Sequence, residues 1–151
     1  MKTTQYLTII LCLLSLGACN IFKKSTTSKT GEDTMKTSVI TDRKWKLIEL
    51  AGKPVADKIN DKEPFILLQK SDNRYSASGG CNGLGGTFEL LENGRIKFSQ
   101  GMSTMMACEN MEIEKGLSEA LITADNYSLN GDNLSLNKAR MAPLARFKAV
   151  K

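Results

Sequence analysis

The sequence predicts an α+β domain, a curved antiparallel sheet or partial β-barrel carrying one main helix. Three observations predict it. Short apolar runs, several alternating with polar residues, recur between Lys44 and Val150. Turn-forming residues separate them, including Asn93-Gly94 and Gly131-Asp132. One stretch alone, Ile113 to Ala124, carries apolar residues at helical spacing. Strands, one helix and more strands give that fold class.

Lys44 to Leu50 reads as the first strand, with Trp45 and Leu47 on one face and Ile48 and Leu50 on the other. Ala51-Gly52-Lys53-Pro54 is a turn. Phe65 to Leu68 is a buried strand, and Ser71-Asp72-Asn73 turns it into Arg74 to Ser78 as a hairpin. Gly79 to Gly86 (GGCNGLGG) is expected to break any regular element. Thr87–Leu91 and Arg95–Phe98 flank Asn93-Gly94, whose residues both accept positive φ. The helix stripe is Ile113, Leu117, Ala120, Leu121 and Ala124, with Glu109, Glu112 and Glu114 near its start, where the helix dipole favours anions. Gly116 weakens this helix by about 1 kcal/mol relative to alanine. Tyr127–Asn130 and Asn133–Leu136 form another hairpin. Leu144–Val150 is the last strand, Pro143 suiting its start.

Composition removes whole classes of chemistry. With no histidine, Ser-His-Asp and Cys-His nucleophiles and zinc sites with His ligands are excluded. The net charge of +5 is spread along the chain, and the segment 44–151 holds 15 basic against 13 acidic residues. A nucleic-acid binder concentrates its charge on one face, so no nucleic-acid partner is expected. No metal or cofactor is expected either. Glu112 and Glu119, seven apart, fall away from the apolar stripe and read as a solvated face. The Asn/Asp clusters lack the length and the bidentate Glu of a calcium loop. The glycine run has no G-x-G-x-x-G register, and no Gly-Lys-Ser/Thr follows it.

The first 43 residues read as an address. Lys2, the apolar run Leu7–Leu14 and the small residues up to Ala18 form an export signal, residues 1–18, too short to span a bilayer that needs about 20 apolar residues. Leu16-Gly17-Ala18-Cys19 resembles the bacterial lipobox. The resemblance implies that Cys19 is lipidated and becomes the mature N-terminus, anchoring the chain to a membrane. Asn20 follows, not Asp, which by the rule for such lipoproteins points to the outer membrane. Residues 19–43, rich in Ser, Thr and Lys, are expected to be a tether, and residues 44–151 the folded domain.

Cys12 leaves with the signal, so Cys81 and Cys108 remain as a pair in an oxidising compartment. The plain reading is a disulfide between the glycine-rich loop and the helix start. Two unpaired buried thiols, or a redox or metal role with Cys108 activated by the helix N-terminus, are the alternatives. Met102, Met105, Met106 and Met111 cluster within ten residues. Such thioethers either fill an irregular core or form an adaptable apolar binding surface.

Two segments together are distinctive. Gly80-Cys81-Asn82, followed by Gly86 and Phe88, resembles the "GCN…G-Y/F" motif of the META/HslJ-like domain family. Thr104-Met105-Met106-Ala107-Cys108 resembles its "T-x-MAC" motif. Trp45-x-Leu47, the Gly52 turn and the Tyr127–Leu136 hairpin follow the same order, so the resemblance covers the chain from Lys44 to Val150. It implies a small exported domain, often lipid-anchored, some members being associated with heat or envelope stress and antibiotic tolerance. It supplies no catalytic residues, and Met105 stands where many members carry a basic residue. The expectation is a monomeric, non-enzymatic envelope lipoprotein that binds an apolar peptide, lipid or envelope protein. A thiol redox protein using Cys81 and Cys108, or a purely structural envelope protein, is the alternative.

Overall fold

The computed structural model describes residues 40–150. The strands are β1 (Lys44–Leu50), β2 (Lys53–Pro54), β3 (Phe65–Gln69), β4 (Arg74–Ser78), β5 (Gly83–Leu91), β6 (Arg95–Phe98), β7 (Met102–Ser103), β8 (Asn126–Asn130), β9 (Asn133–Asn137) and β10 (Ala145–Ala149). One helix, α1 (Glu112–Thr123), lies between β7 and β8.

The hairpins predicted from local sequence form. β3 pairs with β4 from Phe65↔Ser78 to Gln69↔Arg74, and β8 with β9 from Asn126↔Asn137 to Asn130↔Asn133. β5 and β6 join through Glu92–Gly94, with Asn93 at φ 59° and Gly94 at φ 69°, the backbone that the Asn-Gly pair tolerates.

The predicted α+β architecture, with an open curved sheet or partial barrel, is overturned. β10 pairs antiparallel with β1, from Trp45↔Ala149 to Leu50↔Ala145. The ring β1-β3-β4-β5-β6-β8-β9-β10 is thereby closed, an eight-strand antiparallel barrel with one helix, mostly β. No local pattern reports this closure, because the strands that make it stand at the two ends of the domain. The seam between β6 and β8 is the thinnest, with Arg95↔Asn126 as its paired position and Ile96 N–H donating to Asp125 O at 3.2 Å.

Two further expectations change. The glycine run is not wholly irregular: Gly83–Gly86 begin β5 and pair with β4 from Ser78↔Gly83 to Tyr75↔Gly86. Glycine is needed at Gly86, where an added Cβ would stand 2.7 Å from Tyr75 Cε1. Ile48 and Leu50 do not share a face. The register shifts between Leu47 and Glu49, so Ile48 is the extra residue of a bulge and Leu50 turns back toward the interior opposite Ala145.

The interior is apolar. Trp45, Leu47, Ile66, Leu68, Leu134, Leu136 and Phe147 are fully buried, each contributing roughly 1.5–3 kcal/mol through removal from water. Outward positions carry charge, as in the Glu49–Arg146 pair at 3.2 Å across β1 and β10. This arrangement of an apolar inside and a charged outside suits water, the reverse of a membrane barrel. Leu117, Ala120 and Leu121 of α1, with Ala124 just after it, complete the core. Ile40, which the sequence reading assigns to the tether, is fully buried and accepts the Trp45 indole N–H at 2.9 Å.

Candidate functional site

The β4–β5 connection, residues 79–82, packs directly against the first turn of α1. A Cβ on Gly79 would lie 2.3 Å from Glu114 Cα, so at this point helix and barrel backbones touch. Gly80 has φ +108°, and a Cβ there would meet Ile59 Cβ at 2.5 Å. We expect Gly79→Ala to push α1 off the barrel and cost roughly 2–3 kcal/mol. An unchanged urea midpoint would contradict that contact.

Asn82, 1 % exposed, is the hub of the site. Its backbone N–H and its Nδ2 donate to the two oxygens of Glu114, the latter at 2.9 Å. Its Nδ2 also donates to Met106 O at 3.1 Å. Its Oδ1 accepts from Thr104 Oγ1 at 2.8 Å and from Met106 N–H at 2.7 Å. The amide thus reads both edges of the 104–106 backbone, and Glu114 fixes which way the amide points. Thr104 is tied in again, its Oγ1 accepting Gly83 N–H at 3.2 Å. Glu114 is itself buried at 6 % exposure. From below, Lys62 Nζ donates to Cys81 O at 2.9 Å, and Asn60 Nδ2 donates to Asn110 O at 2.9 Å.

Cys81 and Cys108 are joined in a disulfide with Cα atoms 6.1 Å apart. Cys81 is buried, whereas Cys108 is half-buried. Gly80, Cys81, Asn82, Thr104, the Met106 backbone and Cys108 therefore meet at one end of the barrel. Ala107 is exposed within the loop they hold.

The clamp sets the methionines. β7 pairs with β5 at Leu84↔Ser103 and Gly85↔Met102. Met102 is 81 % exposed, Met105 99 % and Met106 49 %. Of the two sequence readings of this cluster, core filling does not describe these three. Met111 is half-buried at the start of α1. Glu112 and Glu119 are both exposed on α1. Cys19 lies outside the described residues.

Sequence reasoning missed Glu114 as a site residue, assigning it to the helix dipole. The signal was present: Glu114, Leu117, Leu121 and Ala124 follow spacings of 3, 4 and 3, which puts a carboxylate on the buried stripe. A buried acid on such a stripe needs donors, and Asn82 supplies two.

Fold and site together define a small closed barrel whose open end is capped by a helix and by a disulfide-tied loop. The chain belongs to the META domain family, whose model matches residues 38–151. Among solved structures it is similar to a protein from Burkholderia xenovorans determined by NMR, at 21 % identity and TM-score 0.59, covering 77 % of this chain and 87 % of that one. A second NMR structure matches at 24 % identity and TM-score 0.58, over 74 % and 92 % of the two chains. The crystal structure of a DUF4847 family protein from Bacteroides vulgatus matches at 14 % and 0.53, over 75 % and 96 %. At these identities the likeness is one of fold. No curated protein matches the chain significantly.

Proposed function

We propose that this chain is a non-enzymatic lipoprotein of the bacterial envelope, held at the outer membrane through Cys19, whose META domain supports tolerance of envelope or heat stress by docking an apolar partner. The observation that carries the docking is the outward presentation of Met102, Met105 and Met106 on a loop pinned by the buried Asn82 and the Cys81–Cys108 bond. Unbranched thioethers adapt to varied apolar surfaces, and a loop ordered beforehand loses little entropy on binding. The lipobox-like Leu16–Cys19 and the absence of histidine support the anchor and the non-catalytic role. The burial of Cys81 favours a structural bond over a redox pair.

The test uses cells of the source bacterium carrying a Met102→Ser, Met105→Ser, Met106→Ser variant. All three positions are exposed, so the substitutions are expected to leave the fold intact. The variant is expected to reproduce the sensitivity of a deletion strain to heat and membrane-active agents. Growth equal to the unaltered strain under every such stress would reject docking through this loop. In the same cells Cys19→Ser is expected to move the protein out of carbonate-washed membranes, and retention would reject the anchor.

A further inference from the structure

A separate concavity lies between α1 and the β1–β2 turn, with a volume of about 320 Å³. This is within the size range of small-molecule pockets. Its floor is apolar, made by Leu50, Val55, Ile113, Ala120 and Leu144. Two local features set its floor. The bulge at Ile48 turns Leu50 inward. Gly116 lets Leu50 seat against the helix backbone, since a Cβ there would stand 2.7 Å from Leu50 Cδ2.

The rim is charged. Glu112 and Glu119 line the helix wall on either side of Gly116, and Lys53 lines the opposite wall. Two helical turns, about 10 Å along the axis, separate their Cα atoms, a span that two glutamate side chains can close from either end. Among the described residues neither forms an ion pair, whereas Glu49 and Glu63 are both paired. The rim therefore holds two carboxylates against one ammonium, above a floor that favours hydrocarbon. A ligand complementary to both is a cation with a short apolar body.

We propose that this groove binds small amphiphilic cations, with the ammonium group between Glu112 and Glu119 and an alkyl or aryl body on the Leu50–Val55–Leu144 floor. The site is distinct from the methionine loop, so the two readings stand or fall separately.

Titrating the purified chain with hexylammonium chloride, and in parallel with sodium hexanoate, tests this by amide chemical shifts. Hexylammonium is expected to move Gly116, Ala120 and Thr123 in a saturable way, at least tenfold more tightly than hexanoate. The double variant Glu112→Gln, Glu119→Gln, altered at two exposed positions, is expected to weaken hexylammonium about tenfold. Equal binding of hexanoate, unchanged affinity in the double variant, or no saturable response at these amides would each overturn the proposal. A response confined to Met102, Met105 and Met106 would place the amphiphile on the loop and overturn it as well.

Discussion

Replacing Asn82 with alanine is expected to cost about 3–5 kcal/mol and release the loop at residues 104–106. The substitution removes the amide's donated bonds to Glu114, Met106 O and Cys81 Sγ and the two bonds it accepts. Left behind are a buried Glu114 oxygen and the Met106 N–H and C=O. Each abandoned neutral group costs about 1–3 kcal/mol, and a carboxylate costs more. Denaturant unfolding measures the loss, and a change below 1 kcal/mol would show that the network is incidental. Asn82→Asp is the sharper companion. It keeps the acceptor but turns a second carboxylate oxygen toward Glu114, where Nδ2 now stands 2.9 Å away. Two facing carboxylates bind a proton more tightly folded than unfolded. The folded variant therefore carries more protons than the unfolded chain, and its stability is expected to rise as pH falls from 7 to 5. A stability that falls over that range would contradict the geometry.

Replacing both Cys81 and Cys108 with alanine is expected to cost up to about 3.5 kcal/mol. The bond closes a loop across 27 positions, and in the chain-entropy model a closure of that size restricts the unfolded chain by this amount. The melting temperature should fall by roughly 15 °C. A loss under 1 kcal/mol would mean that the Asn82 clamp alone fixes the loop. Asn82 is adjacent to Cys81, so combining the two changes should cost less than their sum. Both act on the segment that carries the exposed methionines, so each should also weaken any partner held there.

Much of the barrel was legible because its hairpins are local. Asn93-Gly94 marked one turn, and the alternation of Ala145, Phe147 and Ala149 marked the inward face of β10. Closure was not legible, since Trp45 and Ala149 meet through long-range pairing that neither segment's pattern announces. The bulge at Ile48 defeated the simple alternation of β1, because a single extra residue exchanges the two faces. Gly116 was legible as a weak point of the helix, but its use as room for Leu50 required the packed neighbour. At the site, the Gly80-Cys81-Asn82 and Thr104–Cys108 segments were singled out as motifs, yet their shared hub was hidden. The choice between core and surface for the methionines was open because their loop has no period.

The pairing of β1 with β10 also governs the order in which the molecule can be made. Among the described residues β1 is the first strand in the chain and β10 the last, so the ring stays open until both have emerged. Trp45 meets Ala149 and Leu47 meets Phe147 only then. Up to that moment one flank of β1 offers unpaired N–H and C=O groups beside apolar side chains, the surface on which growing chains aggregate. Contacts of such long range also slow folding. Closure of the ring is therefore expected to be the last step of folding.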